Sequence, residues 1–235
     1  MAEQLASLAD DRALLGRTST AERVSDILRS RIADGFFPPG TRLSEDSIGG
    51  ALGVSRNTLR EAFRLLTHER LLVHELNRGV FVRVLTVEDV EDIYRTRALV
   101  ECAVVRGLGD PPYALDGLAA AVAEGERAGA ENDWKSLGTA NIHFHRELVA
   151  LAGSERADEL MRSVFAELRL AFHVVDDPRQ LHEPYLARNR QILQTMRNGD
   201  KAGAEQLLAV YLRDSLDRVV EVYRRRVGTD GPLPD

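Results

Sequence analysis

The stretch Leu43–Leu66, LSEDSIGGALGVSRNTLREAFRLL, constrains this chain more than any other segment. Gly53-Val54-Ser55 ends one short helix and begins another within three residues, because it forms a turn whose serine caps the second helix. Ser44, with Ser47 and Ile48 behind it, opens the first helix, and Gly49-Gly50 leaves room for close packing. The second helix places Leu59, Phe63 and Leu66 inward and turns Arg56, Asn57 and Arg60 outward, with Ser55 as its N-cap. A first turn carrying Ser55, Arg56, Asn57, Thr58 and Arg60 suits the major groove of DNA. Donors there reach base edges while the positive dipole end faces phosphate.

The flanks agree with that reading. A capping Thr20 starts a helix with Val24, Ile27, Leu28 and Ile32 on one face, stopped by Gly35-Phe36-Phe37-Pro38-Pro39-Gly40. After the pair of helices, Leu71–Glu75 and Val80–Val84 alternate as two strands joined around Asn77-Arg78-Gly79. A hairpin in that position makes a winged helix-turn-helix. Arg78 at its tip reaches toward the minor groove or backbone, and Gly79 lets the main chain come close.

From Thr86 onward every segment has a helical stripe. Val90, Ile93, Tyr94, Arg97, Ala98, Glu101 and Val105 come after a capping signal, and Asp110-Pro111-Pro112 breaks the run. Further helices are expected over about 113–130, 132–152, 154–175, 181–198 and 200–226. The fold class is therefore mainly α: three helices plus a β-hairpin over 20–85, then an all-helical bundle over 86–226. Residues 1–19 read as an N-terminal extension and 227–235 as a flexible tail.

Composition limits the function classes. No apolar run approaches the ~18–20 residues of a membrane helix. The N-terminus lacks the layout of a signal peptide, and the single cysteine, Cys102, suits a reducing compartment, so a cytoplasmic location is expected. The net charge of −6 argues against unselective nucleic-acid binding by the whole chain. It is uneven, however: residues 20–85 hold 10 arginines against 8 carboxylates, and residues 86–235 hold 19 basic against 26 acidic side chains.

The order helix, Pro-Pro-Gly, helix-turn-helix, Arg-Gly wing and helical domain resembles the GntR family of bacterial transcription regulators. Carrying the resemblance are Leu43-Ser44-Glu45, Gly53-Val54-Ser55-Arg56, Leu59-Arg60-Glu61-Ala62 and Arg78-Gly79-Val80-Phe81-Val82. The second half is similar to the FCD ligand domain of the FadR-type branch, through Arg97 to Glu101, Asn141-Ile142-His143-Phe144-His145, and Gln191-Ile192 leading to Asn198-Gly199-Asp200. The resemblance implies a homodimer on a palindromic double-stranded operator, more often repressing than activating, and modulated by a small carboxylate-type metabolite. It implies base or phosphate contacts for Arg56 and Arg60, backbone contacts for Ser55 and Thr58, and a wing contact for Arg78 and Gly79. Two departures stand out. Asp46 occupies a position where some members carry a guanine-reading Arg, and Arg70 stands where a Gly usually ends the recognition helix, which predicts strain there.

Many FCD domains hold a divalent metal on an Asp and a His four residues apart, plus two later His. In this chain those positions are Asn141, His145, Asn189 and Tyr211, so one strong ligand of four is retained. A neutral imidazole with two amides and a phenol holds zinc or nickel poorly, and no metal or other cofactor is expected. Asn141, His145, Asn189 and Tyr211 instead outline a polar effector pocket, with Arg97 as a carboxylate clamp. His145, Asn189 and Tyr211 read equally as hydrogen-bonded core residues, and Trp134 and Phe144 as packing. His173, His182 and Glu183 beside Asp176-Asp177 read as an exposed loop rather than a metal cluster. Two competing classes are weaker. A helical enzyme or metal-dependent sensor built on His145 leaves the winged helix unexplained, and no activated nucleophile or phosphate loop is present. A passive architectural DNA-binding protein does not need an acidic bundle.

Overall fold

The computed structural model describes residues 19–175 and 177–230, with side chains to residue 225. The chain divides into two compact units, with the boundary between Val82 and Arg83.

In the first unit, helix α1 (Thr20–Ala33) precedes strand β1 (Arg42–Leu43), helices α2 (Glu45–Leu52) and α3 (Arg56–His68), and strands β2 (Leu72–Glu75) and β3 (Gly79–Val82). The α1 cap is Ser19, one residue before the expected Thr20: its Oγ accepts from the Glu22 amide while the Glu22 carboxylate accepts from the Ser19 amide. This reciprocal box satisfies two amides that the first helical turn leaves unpaired. Ala21, Val24, Leu28 and Ile32 are buried, whereas Ile27, expected inside, is 45% exposed.

The sheet has the order β1-β3-β2, both pairs antiparallel, with Glu75 opposite Gly79. Strand β1 is two residues long and carries no periodic signal, which is why the sequence shows a hairpin and not a third strand. Gly49 is buried, and a Cβ there would meet the Val54 carbonyl at 3.4 Å, so it is a close-packing glycine; Gly50 faces open space. Arg29 ties α1 to the end of α3 through a forked pair with Glu69, both contacts at 2.6 Å.

The second unit contains, among the described residues, only helices: α4 (Val87–Gly107), α5 (Asp116–Ala130), α6 (Trp134–Ala150), α7 (Glu155–Phe172), α8 (Pro178–Arg197) and α9 (Lys201–Asp230). Helix α4 is central, packing on α9, α7 and α6, while α8 lies against α5, α6 and α9. The buried face of α4 is Val90, Ile93, Tyr94, Arg97, Glu101, Cys102 and Val105, the expected stripe with Cys102 in and Ala98, which is only half-buried, out. Arg83 braces the start of α4 by bonding Asp89 at 2.6 Å and Glu167 of α7 at 3.1 Å.

Three further expectations need correction. Helix α8 begins at Pro178, not at 181, because Asp177 caps it and proline is well suited to the first helical position. His182 therefore lies on a helix and is buried, not in an exposed loop. The expected tail from 227 overlaps α9, which runs to Asp230; residues 231–235 and the extension 1–18 lie outside the described residues.

Candidate functional site

Helix α2 is held to α3 by Gly53, in the left-handed region at φ 64°, whose amide bonds the Gly49 carbonyl. Ser55 caps α3: its Oγ accepts from the Thr58 amide at 3.1 Å and lies 2.8 Å from the Thr58 hydroxyl. Ser55 and Thr58 thus set the helix start, and Arg56, Asn57 and Arg60 are exposed to solvent on its opening turns. Arg56, Arg60 and Arg78 each have a carboxylate beside them. Arg56 Nη2 is 2.9 Å from Asp46, Arg60 Nε is 2.9 Å from Glu45, and Arg78 Nη1 is 2.7 Å from Glu75. Asn77 at φ 62° and Gly79 at φ 112° turn the hairpin. A Cβ on Gly79 would approach the exposed Arg42 guanidinium at 3.2 Å, which can shift, so it is the backbone angle that calls for glycine.

The helical unit brings together all five residues expected to form the effector pocket. Helix α4 supplies Arg97, α6 supplies Asn141 and His145 one turn apart, α8 supplies Asn189, and α9 supplies Tyr211. The bridging residue is Glu101, which sequence reasoning included in a motif but not in the site; its spacing of four from Arg97 on one helix was the available signal. Arg97 Nε donates to Glu101 Oε1 at 2.8 Å, and His145 Nδ1 lies 2.6 Å from Glu101 Oε2. Asn141 Oδ1 accepts from the Tyr211 hydroxyl at 2.8 Å and from Asn189 Nδ2 at 2.7 Å. The two groups meet where the His145 and Tyr211 rings pack edge to face, 4.9 Å apart. Arg97, Glu101 and His145 are each no more than 1% exposed.

The charges of this trio stem from their surroundings. Burial pushes the Glu101 carboxyl up, but Arg97 and His145 overcome it and hold the group below its ordinary range. Burial acts to lower Arg97, and Glu101 outweighs it, so the guanidinium stays charged. For His145 burial wins over the pull of Glu101, and the imidazole stays below its ordinary range. An ionised carboxylate only accepts hydrogen bonds, so neutral His145 carries its proton on Nδ1 and leaves Nε2 as a bare acceptor. Three buried atoms in this cluster, Arg97 Nη2, His145 Nε2 and Asn189 Oδ1, have no hydrogen-bond partner among the described residues. Such groups are costly to leave unmatched, and a polar ligand would satisfy them.

The donor set does not fit a tightly held divalent metal. Asn141 Oδ1 already accepts two hydrogen bonds, and burial keeps Tyr211 a phenol. Among the described residues no three His, Cys, Asp or Glu side chains cluster to hold a metal ion. His143, on the other side of α6 from His145, pairs instead with Glu124 at 2.8 Å. Near His182, Glu183 is engaged by Arg179 and the His182 ring packs on Phe172.

Residues 20–82 match the family described as bacterial regulatory proteins, gntR family, and residues 92–214 match the FCD domain. A putative GntR transcriptional regulator from Rhodococcus sp. RHA1, of known crystal structure, is 50% identical with a TM-score of 0.84, covering 88% of this chain and all of that one. The Nta operon transcriptional regulator of Aminobacter aminovorans is 30% identical over 196 residues, 81% of this chain and 90% of that protein. The gluconate operon transcriptional repressor of Bacillus licheniformis is 38% identical over 95 residues, covering 40% of this chain and 39% of the repressor.

Proposed function

This chain belongs to the gntR family of bacterial regulatory proteins, with an FCD domain behind its winged helix. It is a DNA-binding transcription regulator rather than an enzyme, and from that premise we propose how it works. It acts in the cytoplasm as a homodimeric repressor that leaves a palindromic operator when a small organic acid enters the helical unit. Segment 20–85 reads DNA through Ser55, Arg56, Asn57, Thr58, Arg60, Arg78 and Gly79. Two copies of α3 then meet half-sites about one helical turn apart. Segment 86–226 supplies the dimer contacts and a metal-free effector site at Arg97, Asn141, His145, Asn189 and Tyr211.

One observation carries the effector site: three buried polar atoms from three helices, on Arg97, His145 and Asn189, lack partners among the described residues. Arg97 Nη2 matches a carboxylate oxygen, while His145 Nε2 and Asn189 Oδ1 match hydroxyl or amine donors. Glu101 orients Arg97 and His145 from behind. A ligand that binds only the folded state stabilises it by about 2.7 kcal/mol at a hundredfold excess over Kd. A thermal-shift screen of organic acids, with and without divalent metal, is therefore the test. The expected result is a metal-independent rise of a few degrees with one class of acid. One tightly held zinc per purified chain, or a rise only when metal is added, contradicts the site.

A further inference from the structure

The first turn of α2 offers two consecutive carboxylates, and each holds an arginine of α3. Glu45 takes Arg60 Nε with both oxygens, at 2.9 and 3.0 Å, and Asp46 takes Arg56 Nη2 at 2.9 Å. Arg56 and Arg60 are four residues apart and lie on one face. With their carboxylates, the face expected to meet DNA is neutral rather than doubly positive. The Arg56 and Asp46 side chains are 71% and 73% exposed, so this pair adds little to folding and its presence is not explained by stability.

We propose that Asp46 is a specificity-determining residue for DNA, biasing the pose of Arg56 through their contact at 2.9 Å and offsetting its charge. This rests on the assignment of α3 as the DNA-reading helix. Affinity for arbitrary DNA comes chiefly from neutralising phosphates and releasing counterions, which a neutral face does poorly. Such a face binds well only where base edges compensate. Arg56, contacted only through Nη2, keeps its remaining N–H groups for guanine O6 and N7. The Asp46 carboxylate accepts from a cytosine N4 amine and repels phosphate and carbonyl oxygens. The pair therefore disfavours an A·T pair and rewards a guanine or cytosine at its step.

The test starts from a duplex selected out of a random-sequence pool by the unmodified protein. Anisotropy titrations then compare that duplex with a scrambled one, across salt concentrations, for Asp46→Asn and Arg56→Ala. Asp46→Asn is expected to bind the scrambled duplex more tightly, with a salt slope steeper by about one. The ratio of selected to scrambled affinity falls roughly five- to a hundredfold. Reselection with Asp46→Asn relaxes one position per half-site. If Asp46→Asn leaves ratio, slope and selected sequence unchanged while Arg56→Ala loses affinity, Asp46 has no such role and α3 still reads DNA. If Arg56→Ala also binds unchanged, the α3 assignment itself fails.

Discussion

Arg70 sits in the left-handed region at φ 58°, one residue past the Glu69 cap of α3. Its amide bonds Thr67 and the Leu71 amide bonds Leu66, the double closure that most helices complete with glycine. A side chain there costs about 1 kcal/mol. Arg70→Gly should therefore raise the unfolding free energy by about that amount in urea denaturation, with operator affinity unchanged. Glu101 is the opposite case: Glu101→Gln leaves the buried Arg97 charge uncompensated and should cost about 3 kcal/mol or more. His182 sets a pH dependence. Burial, with the charge of Arg169 adding to it, pushes its imidazole down to about 4. The unfolded chain, with an ordinary histidine near 6.5, binds the proton more readily between those values. The stabilising contribution is complete above about pH 6.5 and is lost as pH falls toward 4, on the order of 3 kcal/mol in all. His182→Gln should flatten that part of the stability-versus-pH curve, measured as urea midpoints from pH 7.5 to 4.5.

Elements meet at points where a single atom matters. A Cβ on Gly138 of α6 would lie 2.5 Å from His182 Nε2 of α8, and the His182 ring is itself packed on Phe172 at 4.9 Å. Gly138→Ala should cost about 1–3 kcal/mol by thermal or chemical denaturation, because a ring packed in that way has little room to retreat. The elements most legible in the sequence were those with period 3.6 and a cap: the α4 stripe was readable almost residue by residue, as was the Ser55 cap of α3. The features that stayed hidden have physical reasons. Pro178 reads as a breaker until Asp177 is seen to cap the helix it begins. Ile27 repeats with the α1 stripe yet lies at its edge. Glu101 sits among apolar neighbours, and nothing local says that His145, 44 residues away, completes its hydrogen bonds. The carboxylates facing Arg56 and Arg60 lie across a turn, where spacing along one helix gives no guide.

At the scale of the whole molecule, a near-neutral reading unit is joined to an acidic helical unit, and no described helix is long and apolar enough to cross a membrane. If the helical unit controls DNA release, ligand response and DNA affinity should separate by mutation. His145→Gln should keep operator affinity but lose the acid-induced thermal shift; losing both would indicate a folding defect instead. The central claim is that α3 reads DNA. It is tested most directly by anisotropy titration of the selected operator with Arg56→Ala and Arg60→Ala at fixed salt. Each variant should fold normally and bind more weakly by roughly 1–3 kcal/mol, with relaxed preference at one base position. Folded variants that bind as tightly and as selectively as the parent would contradict it.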